Sequence, residues 1–320
     1  MLLDPLNTPL KSSILYALTR EGYLSARALE RALTLAEIIP LKHRWQTFLS
    51  TLLFVLGVVF LLAGVIFFFA YNWAQMGHFI KFGLLQAAIA ATVVISWHKG
   101  LEHLFGKFTL LAASVLVGPL LAVYGQTYQT GADPYELFFG WAILIIGWVA
   151  ISRFAPLWLF FLILLNISLI LYWTQILDMT RWTFAGMCEA CFLLNAGALI
   201  AWEWLAAPKI PWLSGRWIPR LLVCASTAFL TIPTISCIFD GAAEPFLLLA
   251  PILYFSFIAA CLCFYQRGIH DLFMLAAGLF SLIIIITAFF IKMLGEGVIF
   301  LMFYSFLIII QTAAVVFWLR

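Results

Sequence analysis

Gly125-Gln-Thr-Tyr-Gln-Thr-Gly-Ala-Asp-Pro-Tyr-Glu136 is the longest polar interruption between two strongly apolar runs in the middle of this chain. It carries two carboxylates, two tyrosines, two glutamines and two glycines, and no lysine or arginine. The runs beside it, residues 108–124 and 136–152, are close to the roughly 20 apolar residues that a helix needs to cross hydrocarbon. The polar groups between them must therefore face water or line a cavity, and the apolar runs must face lipid or each other.

The rest of the sequence agrees with that reading. The chain is 65% hydrophobic and 10% charged over 320 residues. A soluble domain has roughly 45–50% apolar and about 25% charged residues, so the solvent here is lipid. Phenylalanine and tryptophan are abundant, as suits lipid-facing helices with interfacial anchors. A net charge of +3 is too small to predict nucleic acid as a partner.

Outward in both directions, ten apolar segments have spanning length: 47–71, 79–97, 108–124, 136–152, 155–174, 182–205, 220–239, 246–265, 270–291 and 297–319. The fold class is therefore all-α, a polytopic transmembrane helix bundle. Residues 1–45 form a separate region. Thr8-Pro9 reads as an N-cap followed by proline at N1. Leu10, Ile14, Leu15 and Leu18 then share a face. Glu21-Gly22 ends that helix, Ser25 caps a second, and Pro40 stops it. In the second helix Leu29, Ala32, Leu33 and Ala36 form the stripe, with Arg27, Glu30 and Arg31 outward. The expected organisation is a cytoplasmic helical hairpin at 1–45 and a bundle at 46–320. Asp4, Pro5 and Pro9 interrupt the first apolar residues, so the first span is expected to serve as an uncleaved insertion signal.

Charge orients the bundle. Of 17 Lys and Arg, just Lys81, Arg181 and Lys292 fall on the second face of the membrane. Asp133, Glu136, Asp178, Asp240, Glu244 and Glu296 lie in or beside the loops of that face. Excess cations mark the cytoplasmic side, which predicts both termini inside.

The chemistry-bearing residues also favour the outer half. Pro119, Pro233 and Pro251 sit within spans, nearer their outer ends. A proline frees a carbonyl and bends the helix, and such breaks usually face protein or a wet cavity. Asn72, Trp73, Lys81, Gln126, Tyr128, Asp133, Glu136 and Glu189 occupy the same half and make up the candidate binding set. Glu189 lies roughly 10 Å inside the sixth span. An ionisable group at that depth is a candidate functional residue, and Lys81 is the nearest prospective partner. Asn166, Asn195 and Gln311 lie near mid-membrane, where interhelical hydrogen bonds account for them.

Other chemistries are disfavoured. The six cysteines lie in apolar runs, where a thiol acts as a small apolar group. Cys188 and Cys191 form a CxxC with no histidine or second CxxC nearby. Glu203 and the five histidines sit at helix ends or in loops without metal-ligand spacing. There is no HExxH, GxSxG or Walker loop. No catalytic residue, metal or cofactor is assigned.

Glu21-Gly-Tyr-Leu-Ser25, Ala70-Tyr-Asn-Trp73 with Lys81 after it, Gly125-Gln-Thr-Tyr-Gln-Thr-Gly-Ala-Asp133 and Leu137-Phe-Phe-Gly-Trp141 together resemble a prokaryotic membrane-protein family catalogued as domain of unknown function 2157. The resemblance covers roughly residues 10–175 and implies a bacterial inner membrane, multi-pass. It implies no substrate. The expected function is binding or transport of a small or lipid-like molecule through an outward-facing polar cavity, with membrane lipid as a partner. Two alternatives stand beside it. One is a non-catalytic accessory or sensor protein that docks a protein partner through residues 1–45. The other is an enzyme acting on a lipid-linked substrate, its outer carboxylates serving as acid or base. An inverted five-plus-five repeat is not supported, because Pro119 lies late in its span and Pro251 early.

Overall fold

The computed structural model describes residues 12–35, 42–72, 75–177, 180–206, 210–240, 245–295 and 297–319. Among them it is all-helical: α1 Ser12–Arg20, α2 Ala26–Leu35, α3 Lys42–Asn72, α4 His78–Lys99, α5 Leu104–Tyr128, α6 Pro134–Ser152, α7 Ala155–Ile176, α8 Arg181–Ala206, α9 Trp217–Asp240, α10 Pro245–Arg267, α11 Leu272–Leu294 and α12 Val298–Leu319. The last ten are each long and apolar enough to cross a membrane, and they coincide with the ten expected spans to within a few residues. This is a multi-pass membrane protein.

The chain divides into two units, Met1–Gln75 and Met76–Arg320. In the first, α1 and α2 form the hairpin. Leu15 and Leu33 are its buried residues, while Arg27, Glu30 and Arg31 are exposed. The Ser25 hydroxyl accepts from the Ala28 N–H at 3.3 Å, the expected N-cap contact. Thr8-Pro9 and Pro40, read as start and stop signals, lie outside the described residues. The long α3 is apolar on all sides, as a lipid-spanning helix is.

In the second unit successive helices pack as neighbours. α4 lies on α5, α5 on α6, α6 on α7, α7 on α8, and α8 chiefly on α9. α9 also packs on α10 and α11, and α12 on α11. Short connections force this order. Between α6 and α7 there are two residues, Arg153 in the left-handed conformation (φ 45°) and the N-cap Phe154. The α4–α5 turn is held by the Ser96 hydroxyl, which donates to the Gly106 carbonyl at 2.8 Å. A Cβ on Gly106 would strike the Gly100 carbonyl, so this turn needs glycine.

The central polar stretch is mostly helix. Gly125–Tyr128 forms the last turn of α5 and Pro134–Glu136 the first turn of α6, leaving residues 129–133 between them. Backbone hydrogen bonding continues past the end of the apolar side chains, because it depends on φ and ψ and not on side-chain polarity.

The mid-membrane amides behave as expected in one case. Asn195 Nδ2 donates to Asn166 Oδ1 at 2.7 Å and Asn166 Nδ2 returns a longer bond of 3.4 Å, tying α7 to α8. Each amide also donates to its own helix, at Cys191 and Leu162 carbonyls. Asn166→Leu and Asn195→Leu should each cost about 1 kcal/mol, and the double variant less than the sum, because both remove the same bond. Thermal midpoints of the four proteins in detergent check this. Gln311 differs: its amide atoms are buried without a hydrogen-bond partner among the described residues.

Candidate functional site

Two polar constellations stand at opposite faces of the 76–320 unit. The first is the α5–α6 connection. Gln129 takes the left-handed conformation (φ 46°), and its N–H returns to the Gly125 carbonyl. Asp133 is the N-cap residue of α6 by backbone, although its carboxylate makes no capping bond. Pro134 fills the first helical position, where no N–H is needed. Glu136 follows in the first turn, where a negative charge suits the helix dipole. Ser168 on α7 donates its hydroxyl to the Tyr135 carbonyl at 3.0 Å. Tyr172 packs edge-on against the Tyr135 ring, with centroids 5.2 Å apart.

These contacts leave a groove of about 440 Å³ between the adjoining ends of α5 and α6. Its wall is Leu121, Ala122, Leu137, Phe138 and Gly140; its mouth is Tyr124, Gln126, Thr130 and Glu136. Beneath it α5 runs on through Pro119, which has no N–H, so the Val115 carbonyl cannot receive its usual helical donor. One turn of the neighbouring helix repairs the surroundings: Trp141 of α6 lays its indole over Gly118 and donates Nε1–H to the Ser114 carbonyl at 2.7 Å.

The candidate residues divide. Gln126 and Glu136 line the groove. Tyr128 stacks obliquely on Tyr124 at its rim, 4.9 Å between centroids. Lys81 is half-buried in the first turn of α4, next to Phe82, whose ring lies 6.2 Å from that of Tyr128. Asp133 is exposed in the connection. The Asn72 side chain and Trp73 lie outside what is described. Glu189 is elsewhere, buried on α8. α8 packs on α7, α9 and α10, whereas α4 packs on α5, so Lys81 and Glu189 are on helices with different principal neighbours. Pro119 and Pro251 also separate. Pro251 lines a different groove with Thr234 and Lys292, and Pro119 underlies the α5–α6 groove.

The second constellation was not singled out from the sequence. At the basic face, Arg216 donates from Nη1 to both oxygens of Glu203 at 2.9 Å and from Nε to Asp271 Oδ2 at 3.2 Å. Arg220 Nε reaches the same Asp271 oxygen at 3.2 Å. Tyr265 donates its hydroxyl to Glu203 Oε1 at 2.8 Å. Asp271 Oδ1 caps α11 by accepting from the Phe273 N–H at 3.1 Å. Two carboxylates and two guanidiniums thus cancel in charge and tie α8, α9, α10 and α11 together. Burial alone would raise the Asp271 pKa, but hydrogen bonds from Arg220 and Arg216, and their charges, hold it below the usual carboxylate value. Burial likewise opposes the Arg216 cation, yet its bonds to Glu203 and Asp271 leave its pKa raised. A signal for this cluster was present: Glu203 and Asp271 are carboxylates on the face that charge segregation otherwise assigns to cations. What pairs them is the fold, since Glu203 and Asp271 are far apart in sequence.

Among the described residues no group of three His, Cys, Asp or Glu side chains is placed to hold a metal ion. Residues 16–158, from α1 into the start of α7, match the model of a family described as "Predicted membrane protein (DUF2157)". It is the family that the Ala70–Trp73 and Gly125–Asp133 elements resemble. No curated protein and no solved structure matches the chain.

Proposed function

We propose that this multi-pass membrane protein binds a membrane amphiphile in the α5–α6 groove, with the amphiphile's chain on the apolar wall and its head at the polar mouth. One observation carries the reading: wall and mouth belong to one continuous groove placed at the ends of two spanning helices. A water-soluble ligand would gain nothing from a wall of Leu121, Leu137 and Phe138 turned toward lipid, whereas an acyl or prenyl chain would bury against it. The lining includes Glu136 and no Lys or Arg, so an amine- or hydroxyl-bearing head fits better than a bare phosphate. The charge bias of the loops supports a topology with the termini in the cytoplasm and this groove in the outer leaflet. A bacterial inner membrane is the setting that matches that bias.

Gly140 provides the test. It lines the groove, and a Cβ there meets nothing within 4 Å, so Gly140→Trp fills the space without a clash at its root. The native protein, extracted in mild detergent, should retain one lipid class in native mass spectra. Retention should fall about tenfold in Gly140→Trp, a loss of about 1.4 kcal/mol. Equal lipid retention by both proteins would remove the groove from consideration.

A further inference from the structure

Glu189 is the buried titratable group that the groove does not use. It is 7% exposed, and its Oε1 has no hydrogen-bond partner among the described residues. A carboxylate in that position needs a counter-charge or a proton. The helices packed on α8 offer no cation at its level. α7 has no Lys, Arg, His, Asp or Glu along its length; its titratable group is Tyr172. On α9 the charged residues are Arg220 and Asp240, at the two ends, with the thiols Cys224 and Cys237 between. On α10 there is Arg267 at the last turn, with Tyr254, Tyr265, Cys261 and Cys263. α8 itself adds Cys188, Cys191, and the terminal Arg181 and Glu203. Glu203 is fixed to Arg216 at the basic face, about 21 Å along the helix from Glu189 at 1.5 Å per residue. No arginine of the basic-face cluster can therefore neutralise it.

A groove runs beside Glu189, which is not itself among the lining residues. Ala190 and Leu193, the next residue and the one a turn further on, line this groove of about 510 Å³. That groove runs between α6, α7 and α8 and carries Tyr135, Ser168 and Tyr172 toward the α5–α6 connection. It is distinct from the Tyr124–Glu136 groove, on the far side of α6. At the depth of Glu189, α9 contains Pro233, and the hydroxyls of Thr231 and Thr234 are bonded to carbonyls of their own helix.

We infer that Glu189 is a reversible proton-binding site within the membrane, loaded from the acidic face along the α6–α7–α8 groove. The ligand is a proton, because a carboxyl without a counter-cation is stable in this apolar setting when neutral. The unpartnered oxygen is the acceptor that a bonded structural acid would already have used. The site is independent of the amphiphile reading, and either can fail alone.

Carbodiimides add to protonated carboxyls, so the purified full-length protein treated with dicyclohexylcarbodiimide should be modified at Glu189 in peptide mass spectra. Labelling should fall about tenfold per pH unit on the alkaline side of the midpoint. Glu189→Gln should abolish it. Infrared pH-difference spectra give a second reading that does not depend on reagent entry. A protonated-carboxyl carbonyl band should disappear at alkaline pH and be missing from Glu189→Gln. A band that stays constant across pH overturns the proposal, as does protection from labelling by sodium at fixed pH. A titrating band without labelling keeps the proton site and overturns the groove as its route.

Discussion

Asp271→Ala should lower unfolding stability by about 2–3 kcal/mol, the upper range for hydrogen bonds to charged groups, because the two arginines left behind are partly exposed. Asp271 is 5% exposed and is the acceptor for both Arg216 and Arg220. Without it Arg220 loses its carboxylate and Arg216 keeps one partner, Glu203. Part of the loss belongs to the N-cap, because Oδ1 accepts from the Phe273 N–H. Asp271→Asn should therefore recover about 1 kcal/mol, since asparagine caps helices as well as aspartate but brings no charge. The thermal midpoints of the three proteins in detergent measure both components. Equal midpoints for native and Ala proteins would mean the cluster is ornamental. The pH dependence follows from the depressed folded-state pKa of Asp271. Its stabilising contribution is complete above the ordinary carboxylate value of about 3.9 and fades as pH falls through the lower folded value. Asp271→Asn should remove that portion of the acid sensitivity.

The Asp271 cluster also marks the boundary of what one sequence can tell. Helix number, order and ends were legible because each depends on a local quantity, namely an apolar run of spanning length between polar turns. The Gly125–Glu136 stretch was legible as a polar connection for the same reason: polar groups crowd between two spans. Which helices meet was not legible, because lipid-facing and protein-facing surfaces are equally apolar, and periodicity loses its contrast. α6 and α7, for example, have almost no amphipathic direction to show which side is buried. Hence Gln126 and Glu136, grouped by sequence proximity, line one groove, whereas Glu189 was grouped with them by depth alone and lies on another helix pair. Hence too Glu203 was read as a helix-end residue, and Arg216 and Asp271 were not singled out. Their partnership requires α8, α9 and α11 to converge, which no spacing along the chain encodes.

Trp141→Ala should cost about 3–5 kcal/mol, the usual range for deleting a large aromatic side chain from a packed site. The indole does three things in one place. It covers Gly118, stacks on Phe138 with centroids 6.1 Å apart, and meets Phe160 of α7 edge-on at 5.4 Å. It also donates to the Ser114 carbonyl, next to the Val115 carbonyl that Pro119 leaves without its helical N–H. Trp141→Phe should keep most of the packing and lose the hydrogen bond, a smaller effect of about 1 kcal/mol. Gly118 is the reciprocal half of the contact. An ideal Cβ there overlaps the Trp141 ring, so Gly118→Ala should cost about 1–3 kcal/mol through overpacking, despite alanine's better helix propensity. The two changes should not add. Once the indole is gone, the extra methyl of Gly118→Ala occupies freed space, so the double variant should be less impaired than the sum. Strict additivity would show that α5 and α6 are not held by this contact. Because the groove wall is formed by Leu121 on one helix and Phe138 on the other, loosening the pair should also weaken lipid retention. Gly140→Trp, by contrast, should lower retention about tenfold while leaving the thermal midpoint nearly unchanged. That difference separates loss of the groove's frame from occupation of its space.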